Sequence, residues 1–304
     1  MHSVSLAALS GLLAVAHAAP SNANRPSAAS KCPDVNGTFS IENYRLYPEN
    51  LDWDPIHCKL YLRQRKLQRL RPDTADLAEF VAQARVGNST GGGFQDSAED
   101  TEGNAYVTTT FNVGAIAKIS KTGDVTPWYI GDATPVPYIY GGLVFDEATN
   151  KLIVTAGSRG IFQSFDVASY TPEPIDITMT GRPADGSYPG LGCDGLVSPA
   201  RYGRKVLLCS DNGQAATTLW ATSDGFASVR YIGQVANNGT EEVAKFGTVV
   251  ATVEIGNSLY VNNEFFNDTG VFDVAGDRAS FPLVDSTAEF DALVSAAGFE
   301  IIAC

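Results

Sequence analysis

Gly141-Gly-Leu-Val-Phe-Asp146, the turn Glu147-Ala-Thr-Asn150 and Lys151-Leu-Ile-Val154 read as two short apolar strands joined by a tight acidic turn. The same unit recurs on both sides. Upstream, Gln95-Asp-Ser-Ala-Glu-Asp100 precedes Asn104-Ala-Tyr-Val107, and Glu49-Asn-Leu-Asp-Trp-Asp54 precedes Lys59-Leu-Tyr-Leu62. Downstream, Asp194-Gly-Leu-Val197 precedes Lys205-Val-Leu-Leu208, and Thr248-Val-Val-Ala-Thr-Val253 precedes Ser258-Leu-Tyr-Val261. The leading positions are 49, 95, 141, 194 and 248, spaced 46, 46, 53 and 54 residues apart. A third strand follows in places, as in Gly114-Ala-Ile-Ala-Lys-Ile-Ser120 and Gly160-Ile-Phe-Gln-Ser-Phe-Asp166, and a fourth in Asp124-Val-Thr-Pro-Trp-Tyr129 and Val229-Arg-Tyr-Ile-Gly233. Three or four short strands every ~45 residues describe a β-propeller blade. One blade cannot bury both faces of its sheet, so blades stack around an axis. A two-sheet sandwich accounts for the strands but not for the period. One short helix is expected near 287–297.

Composition agrees with such a fold. Of the 304 residues 44% are hydrophobic and 18% charged, which suits a chain with a sizeable core. There are 29 glycines and 2 methionines, a balance that favours tight turns over long helices. The net charge of -13 opposes binding to nucleic acid or to an anionic membrane. Beyond the first residues no stretch reaches the ~18 apolar residues of a membrane span.

The first 18 residues read as a secretion signal, with an apolar run from Val4 and an Ala16-His17-Ala18 cleavage site. Residues 19–44, rich in Ala, Ser, Asn and Pro, read as a leader or linker, and 45–304 as the propeller domain. Secretion is consistent with four Asn-x-Ser/Thr sequons at Asn36, Asn88, Asn238 and Asn267. Five cysteines remain after signal removal, Cys32, Cys58, Cys193, Cys209 and Cys304, so at least one is unpaired within a monomer. Cys193 and Cys209 flank one repeat unit and are the expected pair, with Cys304 the expected odd one.

Several chemistries are disfavoured. The mature chain holds one histidine, His57, in the turn Asp54-Pro-Ile-His-Cys-Lys59. A Ser-His-Asp hydrolase would have to use it, and a His-rich zinc site has too few ligands. There is no CxxC pair, P-loop or GxGxxG. What remains is acidic and aromatic. Glu49, Asp96, Asp194, Asp211 and Glu264 stand at strand starts or ends, accompanied by Trp53, Tyr140, Tyr260 and Phe265. Glu49, Trp53, Asp96, Tyr140, Asp194, Tyr260 and Glu264 are the candidates for lining a central channel, with packing between blades the competing role for each aromatic.

Three segments carry a family resemblance: Arg45 to Leu62, Pro127-Trp-Tyr129 with Tyr140-Gly-Gly-Leu143, and Asn257 to Phe266 with Gly276 to Val284. Together they resemble the secreted propellers of fungal secondary-metabolite clusters. That family includes the trichothecene-cluster propeller and, more distantly, fungal hetero-Diels–Alderases. The resemblance implies an all-β propeller on a six-blade template, of which about five blades are evident here. The basic stretch Arg63-Gln-Arg-Lys-Leu-Gln-Arg-Leu-Arg71 sits where a blade would join the next, so about one blade is expected to be missing at 62–72, by deletion or by a mis-joined gene. The resemblance also implies binding of a small apolar metabolite and a hetero-Diels–Alder cycloaddition run without a hydrolytic triad. The alternatives are a non-enzymatic secreted effector and a metal-dependent lactonase. The last follows from a broader resemblance to regucalcin and gluconolactonase propellers, which hold a divalent metal such as calcium in the channel. Glu49 and Asp194 match those ligand positions, but Gly141 stands where a ligand Asn is expected. No cofactor is the primary expectation, and the expected state is a monomer.

Overall fold

The computed structural model describes residues 32, 35–64, 93–110, 114–131, 140–184, 192–269 and 276–302. The proposed signal 1–18, Asn88, Cys304 and the basic stretch from residue 65 onward, with most of the expected junction at 62–72, lie outside the described residues.

The chain begins its described sheets with β1 (Phe39–Glu42), inside the stretch whose composition reads as a linker. Next comes a hairpin, β2 (Pro48–Asp54) with β3 (Lys59–Gln64). A first four-stranded blade follows: β4 (Gly93–Glu99), β5 (Ala105–Thr110), β6 (Ala115–Ile119) and β7 (Val125–Ile130). The second contains β8 (Tyr140–Asp146), β9 (Lys151–Ala156), β10 (Ile161–Asp166) and β11 (Ile175–Asp176). A short strand, β12 (Thr178–Thr180), then runs parallel to the outer strand of the third blade. That blade is β13 (Cys193–Val197), β14 (Val206–Asp211), β15 (Ala216–Ala221) and β16 (Ser228–Ala236). The fourth contains β17 (Thr248–Ile255), β18 (Ser258–Glu264) and β19 (Ser280–Asp285), and takes β1 as its outermost strand. N-terminal residues thus complete the C-terminal blade, and the ends of the described chain are bound together by a strand pairing.

The architecture corrects the six-blade template with five blades evident: among the described residues there are four blades. All five repeat starts do open an inner strand, at Pro48, Gly93, Tyr140, Cys193 and Thr248. Among the described residues the first of them opens a two-stranded hairpin, β2–β3.

Glycine explains how the inner strands come so close. A Cβ at Gly141 would collide with the Cys193 carbonyl oxygen, and one at Gly142 would lie 2.5 Å from the Leu196 nitrogen. One at Gly195 would lie 2.8 Å from the Val250 oxygen. β8, β13 and β17 therefore meet backbone to backbone.

Apolar side chains fill the spaces between blades. Leu208, Leu219, Val249, Val261, Phe281 and Phe290 share one cluster between the third and fourth blades. Helix α1 (Glu241–Phe246) adds Val243 to it, and α2 (Thr287–Ala296) adds Phe290 and Val294. The second helix lies where the sequence places one. The first is too short to show an apolar period, although Thr240 caps it by accepting from the Val243 N–H at 3.1 Å. Two disulfides join Cys32 to Cys58 and Cys193 to Cys209.

Candidate functional site

The inner strands run side by side in one direction. Gly141 abuts Cys193, and Gly142 abuts Gly195 and Leu196, so the contact advances in the same sense on β8 and β13. Pro48, Gly93, Tyr140, Cys193 and Thr248 therefore open their strands on one face. The second strands of the blades return to it: Tyr140 pairs with Ala156, Cys193 with Asp211, and Thr248 with Glu264. Of the sequence-selected residues, Asp96, Tyr140, Asp194, Asp211 and Glu264 lie toward this strand-start face, whereas Trp53 and Tyr260 lie toward the opposite ends of their strands.

Asp96 occupies the axis just below that face and is 4% exposed. Its Oδ1 accepts from the Ser97 N–H at 2.8 Å and from the Asn50 side-chain amide. Its Oδ2 accepts from the Leu143 N–H at 3.0 Å and the Leu196 N–H at 3.4 Å. One carboxylate thus draws donors from β2, β4, β8 and β13. Thr108 on β5 supports it, donating to the Gly141 carbonyl at 2.7 Å and accepting from the Asp96 N–H at 3.2 Å.

Tyr140 opens β8 and is buried in an aromatic block with Tyr129 and Phe165, its ring centroid 6.1 and 6.0 Å from theirs. Trp128 joins through Phe165 at 5.9 Å and Tyr106 through Trp128 at 5.0 Å. The Tyr140 hydroxyl donates to Gln163 Oε1 at 3.1 Å, and Gln163 Nε2 donates to Asp176 at 2.7 Å. Arg159 grips the same carboxylate through both terminal nitrogens, at 2.8 and 2.6 Å. Burial pushes the Tyr140 hydroxyl's pKa up, while Arg159 and then Gln163 hold the Asp176 carboxyl below its usual range. A buried phenol is thereby linked through an amide to an exposed ion pair.

The other candidates lie apart from these two groups. Asp194 is half-buried and accepts from Asn212 Nδ2 at 3.1 Å. Trp53 and Tyr260 meet in the core between the hairpin and the fourth blade, with Leu51, Val253 and Leu283. The Tyr260 hydroxyl donates to the Val35 carbonyl at 2.7 Å. Glu264 is fully buried and accepts from the Phe265 N–H at 3.3 Å. Glu49 is the second residue of β2, and its side chain lies outside the described residues. His57 is exposed in the turn at the far end of β2, with Nδ1 2.6 Å from Asp54 Oδ2.

The described donors do not fit an axial divalent cation. Asp96 spends both oxygens on N–H groups, Asp194 faces an amide, and Gly141 supplies no side chain. Among the described residues no three Asp, Glu, His or Cys side chains gather as a ligand set. Sequence reading missed Asn50, although it adjoins Glu49 in the first repeat. It also missed Arg159, Gln163 and Asp176, whose association depends on β10 pairing with β11.

Comparison with known proteins places this geometry in context. A family model described as Mala_s_1-like, Mal s 1 allergenic protein-like, matches residues 76–189. Trichothecene biosynthesis protein 14 of Trichoderma arundinaceum is 24% identical over 346 aligned residues, covering 87% of this chain and 92% of that protein. An alignment longer than the 304-residue chain means that the relative carries segments this chain lacks. Major allergen Mal f 1 of Malassezia furfur is 39% identical over 90 residues, 28% of this chain and 25% of that protein. The crystal structure of the major Malassezia sympodialis allergen Mala s 1 superposes with a TM-score of 0.60 at 15% identity, covering 83% of this chain and 96% of that one. That last likeness is one of fold. The chain is similar to a group of fungal propellers that includes allergens and a trichothecene-pathway protein.

Proposed function

We propose that this chain is a secretory-pathway propeller of fungal terpenoid-type secondary metabolism that binds a small apolar metabolite on the strand-start face, above the closed axis. The observation that carries the reading is the aromatic block that Tyr140 closes at that face, beside the polar Gln163–Asp176–Arg159 chain. Tyr140 and the Phe165 ring behind it are buried, so the metabolite would rest against the face they close, where Arg159 and Asp176 supply exposed polar groups. Similarity to the trichothecene-pathway protein supports the metabolic setting, and two disulfides support an oxidising compartment. Asn36, Asn238 and Asn267 are exposed sequon positions in this reading, and the protein acts as a glycosylated monomer.

Binding is the form of activity that the described geometry supports best. A hetero-Diels–Alder step would need a donor aimed at the reacting carbonyl, and the Tyr140 hydroxyl is committed to Gln163. Hydrolysis by a histidine base is disfavoured by the position of His57, at the opposite end of its strand from this face. A non-enzymatic secreted effector is the second reading, supported by the partial similarity to Mal f 1.

The test is titration of the purified protein with the sesquiterpene alcohol farnesol, followed by tryptophan fluorescence and calorimetry. Saturable binding that weakens at least tenfold in Tyr140→Ala, with folding retained, is expected. No binding, or binding indifferent to Tyr140, would remove the strand-start face as the metabolite site.

A further inference from the structure

Four donors among the described residues surround Asp96 and point to a property of the axis itself. The Leu143 and Leu196 N–H groups come from the inner strands of two different blades, and the Asn50 amide from the hairpin. With the Ser97 N–H they converge on one buried carboxylate. Each donor turns its positive end inward. The glycines at 141, 142 and 195 let β8, β13 and β17 approach closely enough to hold this arrangement. A cation at this position would face N–H hydrogens and lose the oxygen ligands it requires. An anion would gain a set of charge-assisted hydrogen bonds, as in other backbone-amide anion sites.

We infer that the axis of this propeller is an anion site filled by the chain's own Asp96, and that the fold is held at its centre by this carboxylate rather than by a divalent metal. The inference is independent of the metabolite reading. It removes the metal from the centre of the ring, where a metal-dependent lactonase would need it. Asp96 acts here as a tethered ligand. The three strands that donate to it from outside β4 would otherwise present unsatisfied N–H and amide groups to a dry interior, an arrangement that proteins avoid.

Thermal unfolding tests this in two independent arms. In the first, the wild-type midpoint is measured in millimolar calcium chloride and in EDTA. It is expected to be the same in both; a rise with calcium or a fall with EDTA would overturn the inference. In the second, Asp96→Ala empties the position. Its midpoint is expected to fall by about 5–10 °C, the effect of orphaned buried donors in a chain of this size. Sodium formate, a free carboxylate small enough for the vacated space, is expected to restore about 3 °C of that loss, relative to sodium chloride at equal ionic strength. Calcium is expected to restore none of it. A folded Asp96→Ala that ignores formate, or that recovers with calcium, refutes the anion site. Should Asp96→Ala not fold, Asp96→Asn supplies the reading, since it keeps the size and puts an amide NH2 among donors. A midpoint equal to wild type in that variant would equally refute it.

Discussion

The Tyr47 hydroxyl donates to Asp268 Oδ2 at 2.8 Å across 221 positions of sequence. It is one point of a latch where the N-terminal chain meets the fourth blade. Arg278 donates to the same carboxylate through Nε at 2.8 Å and Nη2 at 3.0 Å, and reaches Glu242 through Nη1. Its guanidinium carbon lies 3.6 Å above the centre of the Phe265 ring. Burial on its own would raise the pKa of Asp268, but hydrogen bonds from Arg278 and Tyr47 outweigh it and hold the carboxyl below its usual range. Tyr47→Phe keeps the ring in the core and removes one hydrogen bond to a carboxylate. It is expected to cost about 1–2 kcal/mol in urea unfolding. Asp268→Asn is expected to cost more, because it leaves the part-buried Arg278 with weaker partners. Unchanged midpoints in both variants would show that the latch adds nothing to ring closure.

Glu99, at the end of β4, is pushed up to about 7, first by burial and then by the nearby charges of Asp100 and Asp52. Unfolded, it titrates near 4.5. The folded form therefore holds this proton more tightly than the unfolded chain. The stabilisation is full below about pH 4.5 and is lost as pH rises through about 7. Glu99→Gln is expected to raise the midpoint by a few degrees at pH 8 and to leave it nearly unchanged at pH 4. Thermal melts of both proteins over that range decide the point; parallel curves would show that Glu99 carries no pH dependence.

The Cys32–Cys58 disulfide ties the chain ahead of β1 to the turn of the β2–β3 hairpin, closing a separation of 26 residues. In the chain-entropy account a loop of that size is worth about 3 kcal/mol. Replacing both cysteines by serine is expected to lower stability by roughly that amount and to open the hairpin to limited proteolysis, with the first cuts near residues 55–58. With two disulfides among five cysteines, denatured protein should titrate one thiol per chain. Three thiols would mean that one of the bridges does not form.

Gly142→Ala places a Cβ 2.5 Å from the Leu196 nitrogen and 2.7 Å from Gly195 carbon, both backbone atoms with no freedom to move aside. Overpacking of this kind typically costs 1–3 kcal/mol, and about 3 kcal/mol or more is expected at a backbone contact on the axis. Gly213→Ala, whose Cβ would come no nearer than 3.4 Å to Asp211 Oδ1, is the mild comparison. Equal soluble yield and equal midpoints for the two variants would show that the inner strands have room to separate.

The sequence determined by itself what is local. Apolar runs and acidic turns set the five inner strands and their return strands, because strand pattern and turn chemistry act over a few residues. The same reading placed α2. The tertiary structure decided what depends on closure. The fourth of the blades among the described residues is completed by the capture of β1 by β19 from across the chain. Asp96 could be selected as an acid at a strand start. Its partners could not, since Asn50, Leu143 and Leu196 are 46, 47 and 100 positions away. Gly141 reads in sequence as a missing ligand and in the fold as the absence of a side chain between two touching strands. Such meanings are set by which strands meet at the axis, and that is a property of the closed ring rather than of any repeat within it.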